Sequence, residues 1–188
     1  MKKSLSAYSE ATTKEELERH IMVVWVDNEA GVLARVSGLF SGRGYNIESL
    51  TVAQVDEENN ISRITIATNG TNSVIEQIKA QLLKLIPVYK VASFPVDDKS
   101  IFRELALIKV IAEKKNLEKA KEICNSYKAQ YLDTTSTSFI VEFHSTRREI
   151  DSFIRKLKPY GVASVARTGP LAMAKGAEIT EANKGKVI

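Results

Sequence analysis

The fold of this chain is decided by residues 20–43, which read HIMVVWVDNEAGVLARVSGLFSGR. Residues 20–27 are apolar almost without interruption, which predicts a buried strand. Over residues 30–43 the apolar positions recur at helical spacing and predict a helix; they are Val32, Leu33, Val36, Leu39 and Phe40. Gly44 follows as a C-terminal cap. The fold therefore opens with a strand and an amphipathic helix.

The rest of this half follows the same logic. Strands are predicted over 45–55, 61–68 and 88–94, with a polar turn over 56–60. Between the last two strands, Ser73 and Glu76 form a capping-box pair that opens a helix. The apolar stripe of this helix consists of Val74, Ile78, Leu82 and Leu85, and Pro87 ends it. The order of elements is βαββαβ.

The second half repeats the order. Strands are predicted over 102–112, 130–135, 138–144 and 161–167, with one helix capped by Asn116 and another opened by the capping box Thr146 and Glu149. The fold class is therefore α+β, with two ferredoxin-like βαββαβ units that meet at a seam over 95–99. We assign 20–98 to the first unit and 99–172 to the second, after an N-terminal extension over 1–19 and before a mobile tail over 173–188.

The first predicted strand indicates that its sheet is covered on both faces. Residues 20–26 are apolar on both faces, whereas a sheet with helices on one side usually has one polar face. The second face must be covered, either by the other unit or by a second copy of the chain.

Composition narrows the class of protein. The chain has 188 residues and a net charge of +4, and 44% of it is hydrophobic. No apolar run approaches the roughly 20 residues of a membrane span, and the N-terminus lacks the apolar core of a signal peptide. We expect a cytoplasmic protein with no membrane partner.

Charge is unevenly spread along the chain. Residues 1–98 hold ten Lys and Arg against thirteen Asp and Glu, whereas residues 99–188 hold seventeen against ten. A basic half is compatible with nucleic acid or with an acidic protein surface. Many of its lysines lie on the polar faces of predicted helices, as at Lys114, Lys115, Lys119 and Lys121. A solvated helix face is the favoured interpretation.

Several functional classes find no support. Cys124 is the single cysteine and lies on an apolar helix stripe, which predicts a buried structural thiol. His20 and His144 are far apart in sequence and suggest no metal or catalytic pair. No nucleophile, base, carboxylate pair or metal cluster converges, so we predict no catalytic residues and no metal site in this chain.

Nucleotide and nucleic-acid binding are also disfavoured. Gly38, Gly42 and Gly44 do not have the G-x-G-x-x-G spacing, and they end a helix where a phosphate loop would open one. An RNA-binding module of this βαββαβ order needs paired aromatic residues on its central strands, where this chain has only Trp25.

The turn over residues 27–33 has the chemistry of a small-ligand site. The N-terminus of the helix presents free N–H groups that attract a carboxylate. Gly31 leaves the backbone open, and Asn28 offers both a donor and an acceptor. These features suit the charged end of a free amino acid. The alternative is a helix capped by Asn28 with nothing bound.

This turn carries a family resemblance. The runs NEAGVLARV over 28–36, GLFS over 38–41 and RGYNIESLTVA over 43–53 closely resemble the small subunit of acetolactate synthase, also called acetohydroxyacid synthase. Ser62-Arg63 with Thr65-Ile66 also fits, and ELALIKV over 104–110 extends the resemblance more weakly into the second unit. It covers roughly residues 20–172.

The resemblance implies an ACT domain followed by a C-terminal ferredoxin-like domain. ACT sheets of two chains pair side by side and bind valine, or a related branched-chain amino acid, at the interface. It assigns the binding of the amino and carboxyl groups to Asn28, Gly31, Val32 and Leu33, with Asn46 and Ile47 from the neighbouring chain and Thr51 and Ala53 nearby. Ala30 departs from the Ser or Pro of many relatives, which matters little because its side chain need not touch the ligand.

The resemblance also implies a partner. A separate catalytic large subunit would hold thiamine diphosphate, Mg²⁺ and FAD, while this chain would hold no cofactor, activate that subunit and confer feedback inhibition. The alternative is a freestanding ACT-type amino-acid sensor that regulates another protein.

Overall fold

The computed structural model describes residues 17–95 and 100–177. The first unit consists of β1 (Glu18–Asp27), α1 (Val32–Gly42), β2 (Ser49–Asp56), β3 (Ile61–Gly70), α2 (Asn72–Leu82) and β4 (Val88–Pro95). The second consists of β5 (Ser100–Ile111), α3 (Lys114–Ser126), β6 (Gln130–Thr134), β7 (Ser138–Ser145), α4 (Arg147–Leu157), a 3-10 turn (Lys158–Tyr160), β8 (Val162–Arg167) and β9 (Leu171–Ala174).

Both units have the same sheet topology. The strand order is β2-β3-β1-β4 in the first sheet and β6-β7-β5-β8 in the second, and every neighbouring pair is antiparallel. The predicted α+β class with two ferredoxin-like βαββαβ units is confirmed. In the first sheet β2 and β4 are the edges, so within residues 17–95 and 100–177 one side of β2 has no strand beside it.

Each sheet packs its helices on one face. In the first unit, Met22 and Val24 of β1 pack against Val36 and Phe40 of α1 and Ile78 of α2. In the second unit, the corresponding core contains Ile108, Val141, Phe153 and Cys124. Full burial of one such aliphatic or aromatic side chain stabilises the fold by about 1.5–3 kcal/mol. Among the described residues, no helix is long and apolar enough to cross a membrane.

The second face of the first sheet is covered by the other unit of the same chain. Ile21, Val23 and Trp25 are fully buried there, in a cluster that includes Ala172 with Phe102 packed against it. The first residues of β5, Ser100–Arg103, extend beyond the second sheet and pair with β9. This two-stranded ribbon lies on the first sheet. Of the two alternatives that the apolar strand left open, the structure therefore shows the second unit.

The ribbon corrects the predicted C-terminal tail. We predicted a tail from residue 173, but Met173 and Ala174 belong to β9 and pair with Ile101 and Ser100. At the other end, Glu18 and Arg19 already belong to β1, so the strand begins two residues before the predicted bound. The seam over 96–99, the extension over 1–16 and the tail over 178–188 lie outside the described residues.

Two of the predicted helix caps are wrong. The N-cap of α2 is Thr71, whose hydroxyl accepts the Val74 N–H, and Ser73 bonds to Thr71 instead of capping. The N-cap of α3 is Glu113, whose carbonyl accepts the N–H of Asn116, so that Asn116 already lies in the first turn. The predicted capping box of α4 is confirmed, because the Thr146 hydroxyl accepts the Glu149 N–H.

The predicted second strand begins four residues too early. Gly44 has a left-handed backbone with φ of 71° and caps α1 as predicted. The Tyr45 N–H then bonds to the Phe40 carbonyl, and the two rings meet edge to face at 6.2 Å. This packing holds residues 45–48 in a loop, and β2 begins at Ser49. The other strand bounds agree with the prediction within two residues, whereas α2 ends at Leu82 and leaves Leu85 in the turn before Pro87.

Candidate functional site

The turn between β1 and α1 is held by backbone contacts. The Asn28 backbone N–H donates to the Asn60 carbonyl at 2.8 Å, and the side-chain amide of Asn60 donates to the Asn28 carbonyl at 3.2 Å. The Asp27 N–H donates to the Pro87 carbonyl at 2.9 Å. Asn60 lies in the turn between β2 and β3, so these bonds attach the turn after β1 to that end of the sheet.

This turn leaves the N-terminus of α1 open. The N-cap is Gly31, with a left-handed φ of 86°, and no side chain of the described residues caps the helix. The alternative in which Asn28 caps the helix is therefore wrong. No atom lies within 4 Å of the position that a Cβ of Gly31 would occupy. Free N–H groups at a helix start, reached across a glycine, form a binding place for a carboxylate.

The side chains around this helix start have different environments. Asn28 is exposed, and Leu33 is 43% exposed. Val32 points into the core at 3% exposure, so only its backbone can reach a ligand. Asn28 can therefore offer a polar side chain, Val32 a backbone N–H and Leu33 an apolar surface.

The second group of predicted residues lies in the loop before β2. The Thr68 hydroxyl donates to the Asn46 carbonyl at 2.7 Å, and the Glu48 N–H donates to the Ala67 carbonyl at 2.8 Å. These bonds fix the backbone of the loop to β3 and leave the Asn46 side chain exposed. Ile47 packs, partly buried, against the helix-side core.

Within one chain the two groups are far apart. Asn28 is hydrogen-bonded to Asn60, the residue before β3 begins at Ile61. Asn46 is hydrogen-bonded to Thr68, near the other end of that strand. Seven steps of about 3.3–3.4 Å along a strand separate these ends by roughly 23 Å. One chain therefore does not assemble the predicted site.

Thr51 and Ala53 lie on the edge strand β2, on the face away from the helices. They pair with Thr65 and Arg63 of β3. The Thr51 hydroxyl donates to the Thr168 carbonyl of the second unit at 2.5 Å, so its hydrogen is already engaged. Their side chains face the second unit, while α1 lies on the opposite face.

A charged cluster that the sequence did not reveal surrounds Glu48. Its carboxylate accepts from Arg19 at 2.8 Å, from Arg147 at 2.9 Å and from Asn69 at 2.6 Å. These bonds, that from Arg19 foremost, lower the pKa of Glu48 from 4.5 to about 2, against the opposing effect of partial burial. Glu48 therefore stays ionised at any physiological pH. A single sequence does not indicate that residues 48 and 147, which lie in different units, form an ion pair.

A cleft of about 1320 Å³ lies between the two units. Its lining includes six cationic side chains, Arg19, Arg103, Arg147, Arg148, Arg155 and Lys175, and three acidic ones, Glu18, Glu104 and Asp151. It contains none of the residues that the sequence assigned to the amino-acid site. The predicted amino-acid site is divided between distant ends of one chain and lies apart from this cleft.

The remaining reactive groups have structural environments. Cys124 is buried, and this burial raises the pKa of its thiol to about 11, which disfavours a nucleophilic thiolate. His20 is buried in β1, whereas His144 is exposed in β7 of the other unit. Across residues 17–95 and 100–177, no group of three His, Cys, Asp or Glu side chains is arranged to hold a metal ion.

Comparison with known proteins covers both units. Residues 22–90 match the family model of the AHAS small subunit-like ACT domain, and residues 103–176 match that of the small subunit of acetolactate synthase. The chain is 41% identical over 158 residues to a probable acetolactate synthase small subunit of Archaeoglobus fulgidus, a match that covers 84% of this chain and 98% of that protein.

Further relatives agree. The chain is 39% identical over 162 residues to the acetolactate synthase isozyme 3 small subunit of Salmonella typhimurium, covering 86% of this chain and 98% of that one. The crystal structure of the acetolactate synthase small subunit from Thermotoga maritima superposes with a TM-score of 0.78 at 33% identity, over 84% of this chain and 98% of that chain.

Proposed function

Because the chain belongs to the family of acetolactate synthase small subunits and its first unit is an ACT domain, we propose that it is a non-catalytic regulatory subunit. It binds a branched-chain amino acid, valine in the first instance, between the ACT domains of two copies. It activates a catalytic large subunit and makes that subunit sensitive to feedback inhibition. We assign this regulatory pair to the cytoplasm.

The observation that carries this proposal is the separation of the two groups of residues along the sheet. Asn28 and Gly31 lie at the Ile61 end of β3, and Asn46 lies at the Thr68 end. Two copies that pair their β2 edges antiparallel would bring the Asn46 end of one copy beside the Gly31 end of the other. A twofold pair would therefore form two complete sites from two incomplete ones.

The edge strand suits this pairing. No strand of the described part of the chain lies beside the outer side of β2, and Val52 and Val55 are 42% and 47% exposed. A long exposed edge with apolar side chains is a template for another strand. Pairing would bury both valines and satisfy the outward backbone groups of β2. Thr51 and Ala53 would then lie near the twofold axis, where their backbone, more than their side chains, contributes to the site.

Each group has a distinct role in the proposed site. The carboxylate of the amino acid meets the N–H group of Leu33 across Gly31 and competes with the Glu29 carbonyl, at 3.4 Å, for the N–H group of Val32. Asn28 accepts a hydrogen bond from the ammonium group of the ligand. Asn46 and Ile47 of the second copy close the site, with Ile47 near the branched side chain. Thiamine diphosphate, Mg²⁺ and FAD belong to the catalytic subunit in this proposal, which assigns no chemical step to the regulatory chain.

Calorimetric titration of the purified chain tests the ligand. A closed apolar pocket gains about 0.8 kcal/mol for each buried CH₂ group. Valine has two more side-chain carbons than alanine, so it should bind more tightly by roughly 1.6 kcal/mol, or about fifteen-fold. Equal affinities for valine and alanine would contradict a branched-chain pocket.

A further inference from the structure

Glu48 joins the two units of the chain. It belongs to the ACT domain, where Arg19 and Asn69 bond to its carboxylate, while Arg147 reaches it from the start of α4 in the second unit. The Arg147 guanidinium lies 2.9 Å from the same oxygen that Arg19 contacts. The Glu48 side chain is only 21% exposed. The Arg147 side chain is 46% exposed, so its bond lies at the solvent-facing side of the cluster around Glu48.

The charged cluster continues into the second unit. Asp151 of α4 lies 3.9 Å from Arg147 and 2.6 Å from Arg167 of β8. Arg167 in turn pairs with Glu104 of β5, which is only 5% exposed. Alternating charges thus run from β1 of the ACT domain to the central strand of the second sheet. Arg147 is therefore the link between Glu48 and the ion pairs of the second unit.

The position of Glu48 in the chain gives this contact a functional meaning. Glu48 directly follows Asn46 and Ile47, the residues that we assign to the amino-acid site of the neighbouring copy. Its backbone N–H donates to the Ala67 carbonyl, which holds the loop and Glu48 on β3, so an effector that displaces the loop displaces Glu48 together with that end of the strand. A displacement of about 1 Å would stretch a 2.9 Å hydrogen bond beyond its normal range.

We propose that Glu48 and Arg147 couple the Asn46–Ile47 loop to the second unit, so that an amino acid bound at this loop changes the alignment of the two units. This inference rests on the proposed function, because it requires an effector at the loop. A contact that is made in one arrangement and strained in another biases the equilibrium between them. Glu48 and Arg147 are positioning residues that do not touch the ligand.

The test uses the reconstituted complex of the chain with its catalytic subunit and L-valine as the probe. The variants are Glu48→Gln, Arg147→Gln and the double variant, with Arg147→Lys as the conservative change. Arg148→Gln is the matched control, because Arg148 is the next residue in the same helix, is exposed and forms no ion pair with any described residue. Calorimetry on the regulatory chain measures valine affinity, and acetolactate formation measures inhibition.

We expect valine affinity to stay within about twofold in every variant, since the ligand contacts are intact. Residual activity at saturating valine should rise by about threefold or more in Glu48→Gln and Arg147→Gln, because the coupling between sites is lost. The double variant should be no worse than Glu48→Gln alone, since Glu48→Gln already removes the charged contact to Arg147. Arg147→Lys should recover part of the inhibition, and Arg148→Gln should resemble the unmodified chain.

Three results would overturn the coupling role while leaving the proposed function intact. The first is full inhibition of the Arg147→Gln complex by valine, and the second is a loss of inhibition in Arg148→Gln equal to that in Arg147→Gln. The third is a tenfold or greater loss of valine affinity in Glu48→Gln, which corresponds to about 1.4 kcal/mol and would mean that Glu48 contacts the ligand. If the unmodified chain neither binds valine nor confers inhibition, the proposed function itself fails, and the coupling fails with it.

Discussion

Among single residues, Asn28 offers the most direct test of the proposed amino-acid site. It is exposed beside the open start of α1, and its backbone is held independently by Asn60. In Asn28→Ala the turn should therefore stay folded, while the bond to the charged end of the amino acid, worth about 1.5–3 kcal/mol, is lost. Inhibition should require roughly ten to a hundred times more valine, as measured by dose–response of the reconstituted enzyme.

The control for this change is Asn116→Ala. Asn116 is also an exposed asparagine, but it lies in the first turn of α3, in the other unit. It should leave the response to valine unchanged, and activation of the catalytic subunit should survive in both variants. An unaltered dose–response in Asn28→Ala would remove Asn28 from the site.

The lowered pKa of Glu48 in the folded chain leads us to expect that stability depends on pH in the acid range. Its pKa is lowered from 4.5 to about 2 in the folded chain, chiefly by the bond from Arg19. Its ionised form therefore stabilises the fold fully above the unfolded pKa, and this contribution is lost as the pH falls from about 4.5 towards 2. The free energy of unfolding of the unmodified chain should exceed that of Glu48→Gln near neutral pH, and the difference should shrink through this window.

Urea denaturation at a series of pH values measures that difference. Because the carboxylate is partly exposed, the difference should also decrease in about 1 M salt, where the screening length is only about 3 Å. A gap between the two chains that stays constant from neutral pH down to pH 2 would mean that the ion pairs of Glu48 do not stabilise the fold.

Prediction of single residues from sequence worked where the signal is local: Cys124 lies on an apolar helix stripe and is buried, as predicted. The turn with Asn28 and Gly31 is visible in a short stretch for the same reason, and the ligand-binding role of these two residues stays a prediction. The cluster around Glu48 was missed, because its partners Arg19 and Arg147 are brought to it only by the pairing of strands and the packing of α4. Surface charges carry no periodic signal that identifies such partners.

At the scale of elements, hydrophobic period predicted all the strands except β9. That strand, Leu171–Ala174, has four residues and exists only because it pairs with the first residues of β5 and covers the first sheet. So short a run has no local signal of its own. The caps of α2 and α3 were misplaced for a related reason. Several polar residues near a helix start can serve as cap, and packing of the helix decides among them.

We predict that a charged side chain on the edge of β2 prevents two copies of the chain from pairing. Val52 is 42% exposed on this edge, near the axis of the proposed pair. In Val52→Lys two like charges would face each other across that axis, so the pair should dissociate by a large factor. Because each proposed site requires both copies, valine binding should be lost together with dimerisation. Light scattering after size exclusion measures the mass, and calorimetry measures the binding.

Leu83→Lys is the matched control for this edge. Leu83 is a similarly exposed aliphatic residue, at 49%, but it follows α2 and is not on β2. This variant should remain a dimer that binds valine. A Val52→Lys chain that stays dimeric with unchanged valine affinity would show that the copies pair through another surface.

At the scale of the whole molecule, the second unit completes the first. Ile21, Val23 and Trp25 would face water without the ribbon of β5 and β9, and Arg63 lies over the Trp25 ring at 5.5 Å and donates to the Ala172 carbonyl. Gly169 allows the close approach, since a Cβ there would lie 2.9 Å from the Ser49 hydroxyl. The sequence predicted that this face must be covered. It could not identify the cover, because the apolar strand fits either a second unit or a second copy.

The same scale explains the division of the amino-acid site. Two groups of residues about eighteen positions apart in sequence lie at opposite ends of one sheet, and a twofold pair is the simplest arrangement that unites them. A ligand bound between two copies can act on a third protein only by favouring one arrangement of the pair. In this proposal, the effect of the chain on the catalytic subunit depends on how its two copies are arranged.

Reconstitution with the catalytic subunit shows whether this chain regulates a separate enzyme. Acetolactate formation from pyruvate should be measured for the chain alone, for the purified catalytic subunit alone, and for the mixture, each with and without valine. The chain alone should show no turnover, and the mixture should be more active than the catalytic subunit alone. Valine should inhibit the mixture much more strongly than the catalytic subunit alone. Turnover by this chain alone, or a mixture that responds to valine no differently from the catalytic subunit, would contradict the account.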